Sequence, residues 1–555
     1  MRKPLAIFVS IVFMLLISLP FIAWVSGYKP NPFSWLENRR RVSKPDLEFL
    51  PYGQWATAYN SYISDNLPVR SEIIKAYITI WEDKAGSLVR EFYKGSDGEF
   101  YGNGILLAYL GLSPLPQEDI YISKARLAGV QAWWEARGVA FLCLLTPDKP
   151  SVYPDYLPSY LLEHKGVSRR EQYSMILKDT PINFIDMTDI LLKHKKEYKS
   201  FNKRFDLYHW NGYGLYLTYQ TVCEALRYSR SSFNPLPEGE YYESALRPLD
   251  FGISSISIGD TETVPWFTLL KNDTIQVIPN TIPLVSQNEA ADVVRNNQQQ
   301  EEEVMLLFAD SYLRSTHTSP FAGSKRPLLP FIYNVNTFIS MSNHDALLST
   351  MEFIRQTYNP TIVVEEFAER MGIYLPSGQD NIKLAMIGEV YLDSQRYVLY
   401  PDKVLRETKQ HDVTMSLNTS NELAITSKNP DSHLTLPPIL SKDGRVVIVG
   451  SYRSLAATEA HVRYSQKNGK SGMKNIPIAV GDNDIYVQIF IEPGIPVDID
   501  FYPGEAPGEY KLLPLPELER IDHNLKDKDF QKKRFVLDRK KIEEAYFPSL
   551  HITSE

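Results

Sequence analysis

The sequence predicts an α/β protein: a mostly parallel sheet with helices on its faces, followed by a β-sandwich and preceded by one membrane-spanning helix. Three observations carry this. From about residue 104 to 376, helical stretches such as 120–137 alternate with short apolar runs such as 139–145, the rhythm of a parallel sheet. After about 380 the chain turns to short β-rich runs, 445–450, 461–465 and 485–491, divided by Gly, Asn, Pro and Asp turns at sandwich spacing. Ahead of both, residues 4–28 carry no charge and are dominated by Leu, Ile, Val and Phe.

That first stretch suits a helix of about 20 residues across a bilayer, with Pro20 as a tolerated kink. Arg2 and Lys3 precede it, while Arg39, Arg40 and Arg41 lie more than a turn or two beyond it. Long domains cross with little regard to charge, so the amino terminus is expected inside and the bulk of the chain outside. The expected place is the inner membrane, single-pass, with a periplasmic body. Val25-Ser26-Gly27 also fits a cleavage site, so residues 1–28 read as an anchor or a signal.

Residues 29–376 read as the α/β domain. Helices are expected over 52–65 and 70–89, with Pro68 opening the second, and Gly95-Ser96-Asp97-Gly98 makes a turn. The strand at 139–145 leads into the loop 146–150, then come helix 172–177, strand 182–186 and helix 215–226. Residues 232–303, rich in Ser, Thr, Pro and Asn, interrupt the rhythm and read as an insertion with a disordered or loop-like exit. The rhythm resumes with strand 304–308, helix 345–357 and strand 361–364. Residues 380–520 form the sandwich, a candidate carbohydrate-binding unit, and 521–555 a charged tail.

Composition narrows the function. Acidic residues outnumber basic ones by 67 to 59, for a net charge of -8, which argues against a nucleic-acid partner. Cys143 and Cys223 sit in apolar contexts and read as buried thiols, too few for a disulfide scaffold or a cysteine-rich zinc site. No His-rich metal motif and no glycine-rich phosphate loop occurs, so neither a metal nor a cofactor is expected.

Chemistry is expected at the carboxyl ends of the strands. Ser311 lies on the turn directly after strand 304–308, and Asp206 and His209 lie on a loop before helix 215–226. A serine hydroxyl becomes nucleophilic when a histidine takes its proton and a carboxylate fixes the imidazole tautomer. Asp206, His209 and Ser311 supply those three parts. The alternative, an ordinary Asp-Ser helix cap and a loop hydrogen bond beside Trp210, stays open on spacing alone. Lys149 and Tyr153 read equally as cleft-lining or as loop structure. Asn334 and Asn336 are candidate oxyanion donors or turn residues. Glu365, Glu366, Glu369 and Arg370 read as helix-start charges with an i,i+4 pair, hence structural.

In order along the chain, several short pieces resemble the SGNH-hydrolase-like proteins of alginate O-acetylation, the AlgX and AlgJ family. They are Glu37-Asn38-Arg39, Asp65 to Arg70, Gly95 to Phe100, Thr146-Pro147-Asp148-Lys149 with Val152-Tyr153-Pro154 and Leu157-Pro158, His209-Trp210-Asn211, Asp310-Ser311 and Val363 to Arg370. Two departures stand out. The acid is spaced D-x-x-H rather than D-x-H, and Ala309 replaces the usual glycine before Asp-Ser. The resemblance implies an SGNH-hydrolase-like three-layer domain and an O-acetyltransferase with an acetyl-serine intermediate. It further implies a polysaccharide acceptor and a membrane-bound O-acyltransferase as acetyl donor. An acetyl esterase with the same triad, and a non-catalytic polysaccharide-binding or assembly component, are the alternatives.

Overall fold

The computed structural model describes residues 10, 13–14, 18–27, 33–34, 39–40, 42–45, 54–68, 70, 92–204, 207–249, 262–270, 274–278, 282, 291–298, 302–313, 330–373, 379–545, 547 and 553–554. Strand Ala140–Thr146 (β1) follows helix Gln117–Glu135 (α1), and both faces of the strand are apolar and buried. Such a strand needs cover on both sides. Helix Arg169–Leu177 (α2) starts in a capping box, with Ser168 and Glu171 each accepting the other's backbone N–H. Strand Phe184–Asp186 (β2), helix Met187–His194 (α3) and helix Gly212–Leu226 (α4) follow. Next come strands Tyr242–Leu249 (β3), Glu262–Leu269 (β4), Ile275–Ile278 (β5), Asp292–Asn296 (β6), Val304–Ala309 (β7) and Thr337–Ser342 (β8). Helix Leu348–Tyr358 (α5), closed by left-handed Asn359, precedes strand Ile362–Ala368 (β9) and helix Gln379–Tyr391 (α6).

The main sheet has the order β2-β1-β9-β7-β8-β6-β5. Its five strands from β2 to β8 are parallel, and β6 and β5 add an antiparallel edge. Alternate residues serve opposite layers. Leu142, Leu144, Met305 and Leu307 pack with α4 and α3, whereas Phe141, Cys143, Leu306 and Phe308 pack with α1, α5 and α6. This is the α/β layer that the alternation predicts, and both cysteines are free and buried in it.

The stretch 232–303 is not set apart from the sheet: β5 and β6 are its outer strands, and β3 and β4 form a hairpin. Edge strands bury less, so their polar composition reads as loop when met in sequence. Helix 70–89 falls outside the described residues apart from Arg70, and the helix expected over 52–65 is Trp55–Asp65. No helix among the described residues is long and apolar enough to cross a membrane; of the expected span 4–28, the described part includes helical residues 18–25.

Residues 396–513 build the β-rich region, two sheets around a separate core that includes Leu423, Ile448, Val462, Ile485 and Phe501. The expected boundary near 376–380 does not hold, for a packing reason. Helix α6 lies on α1, and the two backbones touch: a Cβ on Gly129 would stand 1.8 Å from the Leu384 carbonyl oxygen, and one on Gly388 would stand 1.7 Å from that of Ala125. Val447 and Val449 of strand Arg445–Ser454 then join the same core as α6. Arg445 donates to both oxygens of Glu389 on α6, one at 3.1 Å and one at 2.5 Å.

Nor is 521–555 a free tail. Helix Pro516–Lys526 (α7) packs Leu518 and Ile521 into the core beside α6, and Leu537, Ile542 and Phe547 enter the core on the opposite face. Asn183 fastens this return, donating to the Phe535 carbonyl at 3.1 Å and accepting from the Leu537 N–H at 2.8 Å. Thr553 and Ser554 pair in parallel with β3.

Because backbone atoms cannot move aside as side-chain ends can, the α1–α6 crossing tolerates no Cβ. Gly388→Ala should cost about 3 kcal/mol or more, at or above the upper end of overpacking costs, and a denaturant titration of variant against parent measures it. An effect under about 0.5 kcal/mol would mean that the helices separate freely.

Candidate active site

The carboxyl ends of β1, β9, β7 and β8 lie side by side, so whatever follows each strand shares one edge of the sheet. After β7 comes Asp310-Ser311. The Asp310 carboxylate accepts the Tyr312 N–H at 2.8 Å, closing the turn on itself, and the Ala368 N–H of β9 at 2.7 Å. Its own N–H donates to Glu366 at 3.0 Å. Ser311 therefore projects from a turn nailed to the neighbouring strand, and it is exposed.

His209 comes from a loop whose neck is closed three ways. Phe201 and Trp210 form a β-bridge, Asn211 N–H donates to the Ser200 carbonyl at 2.8 Å, and the Asn211 amide donates to the Lys199 carbonyl at 2.7 Å. Asn211 also caps α4, accepting the Tyr213 N–H at 3.0 Å, so His209 stands two residues before the cap. From the other side Glu262 of β4 accepts the N–H groups of Lys203 at 2.5 Å and Arg204 at 3.0 Å.

These supports bring His209 Nε2 within 2.7 Å of Ser311 Oγ. That is the hydrogen bond a nucleophile and its base require. Asp206 lies outside the described residues.

Lys149 and Tyr153 are both buried and do loop-structural work. The Lys149 ammonium pairs with Glu99 at 2.7 Å and donates to the carbonyls of Phe100 at 2.9 Å, Asn202 at 2.8 Å and Lys203 at 3.1 Å. Burial pulls its pKa down, and Glu99 opposes that. Tyr153 accepts the Ser200 N–H at 3.0 Å. Both thus brace the root of the histidine loop. Asn334 and Asn336 are corrected outright as oxyanion donors. They precede β8, whose first residue Thr337 aligns with Val304, whereas Ser311 follows Ala309 at the far end of β7. Five strand steps of about 3.3 Å separate the two ends. Asn334 is engaged by Tyr219 at 3.0 Å and by the carbonyls of Ser232 at 2.7 Å and Asn234 at 3.2 Å, and Asn336 accepts from Thr337 at 2.9 Å.

Glu365 and Glu366 are likewise not helix-start charges. Both sit inside β9 and are buried, Glu365 against Arg126 of α1 and Glu366 accepting from Thr146 at 2.6 Å. Glu369 accepts the Asp148 N–H at 3.0 Å and the Ser151 hydroxyl at 2.6 Å, and Arg370 pairs with Asp148. The usable signal was in the sequence: two adjacent acids inside an otherwise apolar strand have no solvent face to occupy. Burial, then the neighbouring Asp310, pushes the Glu366 carboxyl well up; burial, then Asp148, pushes Glu369 up to about 8.

Residues 113–254 match the family model described as the SGNH hydrolase-like domain of the acetyltransferase AlgX, a stretch that contains His209 and stops short of Ser311. That stretch contributes β1, β2 and helices α1 to α4 to the α/β layer, and a β-rich region follows the layer. No curated protein matches the chain. Among solved structures, the O-acetyltransferase domain of Pseudomonas putida AlgJ is 16% identical, with a TM-score of 0.36, over 53% of this chain and 98% of that one. Pseudomonas aeruginosa AlgX is 11% identical, with a TM-score of 0.35, over 74% and 93%. Bacillus cereus PatB1 with a sulfonyl adduct is 15% identical, with a TM-score of 0.36, over 51% and 98%.

Glu369 makes stability depend on pH. Its folded pKa of about 8 exceeds the ordinary 4.5, so its contribution is complete below about pH 4.5 and is lost as pH rises through 8. Glu369→Gln should flatten the fall in melting temperature between pH 5 and 8.5, gaining on the parent as pH rises. Parallel curves for the two proteins would show that Glu369 is ionised throughout.

Proposed function

We propose that this protein transfers acetyl groups to hydroxyls of an extracytoplasmic polysaccharide through an acetyl-Ser311 intermediate. The observation that carries the reading is the 2.7 Å hydrogen bond between His209 Nε2 and the exposed Ser311 hydroxyl. The match of residues 113–254 to an acetyltransferase domain supports the choice of acyl group. Ser311 Oγ attacks the donor carbonyl carbon as its proton passes to His209 Nε2, and the tetrahedral intermediate expels the donor's oxygen, which takes that proton. A sugar hydroxyl then gives its proton to His209 and attacks the acetyl-serine; collapse forms the sugar ester and returns the proton to Ser311. Asp206 is assigned the task of holding Nδ1 protonated so that Nε2 faces the serine. Water in place of the sugar would make the same site an acetyl esterase, a reading that the exposure of Ser311 favours when no acceptor is bound.

The acetyl donor is assigned to a membrane-bound O-acyltransferase, and the chain to the inner membrane with its bulk periplasmic. Helical residues 18–25 turn Phe21, Ile22, Trp24 and Val25 outward, with exposures of 63%, 56%, 67% and 68%, a surface suited to lipid.

A fluorophosphonate tests the serine directly. The full chain should be labelled at Ser311, and Ser311→Ala should abolish labelling. His209→Ala should remove acetyl-ester turnover while leaving the melting temperature within a few degrees. A wild-type chain that neither labels nor turns over would sink the enzyme reading. Asp206→Asn should lower turnover of a model acetyl ester by more than about a hundredfold, because a working triad loses up to ~10⁴ with the wrong tautomer. A drop below about tenfold, the value of one ordinary hydrogen bond, would remove Asp206 from the triad.

A further inference from the structure

Nucleophile and base belong to segments 102 residues apart, so a hydrogen bond between them demands that two separate turns keep one distance. We propose that Tyr312, backed by the ion pair of Arg370 with the buried Asp148, is the positioning residue that sets the Ser311–His209 distance. The inference rests on the acyl-transfer reading of the site.

Tyr312 directly follows Ser311, and its hydroxyl is hydrogen-bonded to the carbonyl of Tyr208, the residue directly before His209. The same side chain therefore ties the neighbours of both reacting groups. Its ring meets the His209 imidazole edge to face, centroids 5.1 Å apart at 66°, and Trp210 at 5.1 Å and 87°. The hydroxyl also lies 2.8 Å from Asp148 Oδ1. Burial, then Asp148, pushes its pKa well up, so it keeps its proton as a donor at every physiological pH.

Arg370 closes the arrangement. It pairs with Asp148, donates to the Tyr208 carbonyl at 3.2 Å and to the Tyr312 hydroxyl at 3.2 Å, and lies 5.1 Å over the Tyr312 ring. Asp148 is wholly buried, and its Oδ2 has no hydrogen-bond partner among the described residues. Without the guanidinium this carboxylate would be stranded and would compete for the tyrosine proton. None of the three side chains needs to touch substrate. They act through the backbone of Tyr208 and the ring of His209.

Tyr312→Phe removes one oxygen and leaves the ring packing. In the full chain it should lower kcat for a model acetyl ester about 10- to 100-fold with KM within twofold, since a displacement near 1 Å costs about that much. The melting temperature should stay within a few degrees, and the titration midpoint of His209, followed by NMR of the histidine-labelled chain, should shift. Arg370→Lys, which keeps the charge but not the fork, should fall between parent and Tyr312→Phe in rate, and it serves if Tyr312→Phe does not fold. Active wild type with a twofold or smaller effect of both variants, and an unmoved His209 midpoint, overturns the positioning role and leaves the acyl-transfer reading intact. Inactive wild type whose His209 midpoint still moves in Tyr312→Phe sinks the acyl-transfer reading and keeps the tie. Rate loss that follows melting temperature alone, with the midpoint fixed, reduces Tyr312 to a packing residue.

Discussion

Asp310 is the contact on which the site edge depends. Its carboxylate accepts one N–H from its own turn and another from β9, and its N–H is answered by Glu366 of that same strand. A charged group that takes backbone donors from two segments fixes both, because each unmade bond would leave a buried donor unsatisfied. The serine turn, the end of β9 and the carboxyls beyond it thus become one unit. Burial first, and then a neighbouring acid in each case, Asp310 beside Glu366 and Asp148 beside Glu369, push both of these carboxyls up.

Much of this was legible in the sequence, for reasons specific to each residue. Both-face apolar runs such as residues 140–145 have one stable setting, a covered parallel strand, and the serine after the run at 304–308 falls by topology at the strand's carboxyl end. His209 was legible as a partner for that serine, and the two stand 2.7 Å apart. Asn334 and Asn336 misled because loop asparagines look alike whichever end of a strand they flank; only the register of β8 on β7 separates near from far. Lys149 misled because a lysine at a strand end usually reaches water, whereas this one is surrounded by four oxygen acceptors. Arg370 looked like a surface partner for its own element and instead answers Asp148, 222 residues away.

The domain boundary escaped sequence reading for a related reason. A change of texture near residue 380 is real, since a β-rich region does follow. Yet α6 begins at that same point and belongs to the α/β layer, pressed against α1 where neither chain carries a Cβ. Composition registers secondary structure, whereas the allegiance of a helix is decided by the surface it finds. The charged run after 520 shows the same thing: α7 is amphipathic, and of its apolar residues Leu518 and Ile521 enter the core while Leu525 packs against it.

The separation of the paired groups along the chain has a kinetic consequence. Ser311 meets His209 across 102 residues, Arg370 meets Asp148 across 222, and Asn183 meets Leu537 across 354. Contacts that span so much chain are reached only after the loops between them have lost their freedom, so they arise late on the route to the native state. Half-folded chains consequently contain a serine and a histidine but no reagent. On the proposed acyl-transfer reading, a polypeptide that has not yet closed these distant contacts would be chemically silent.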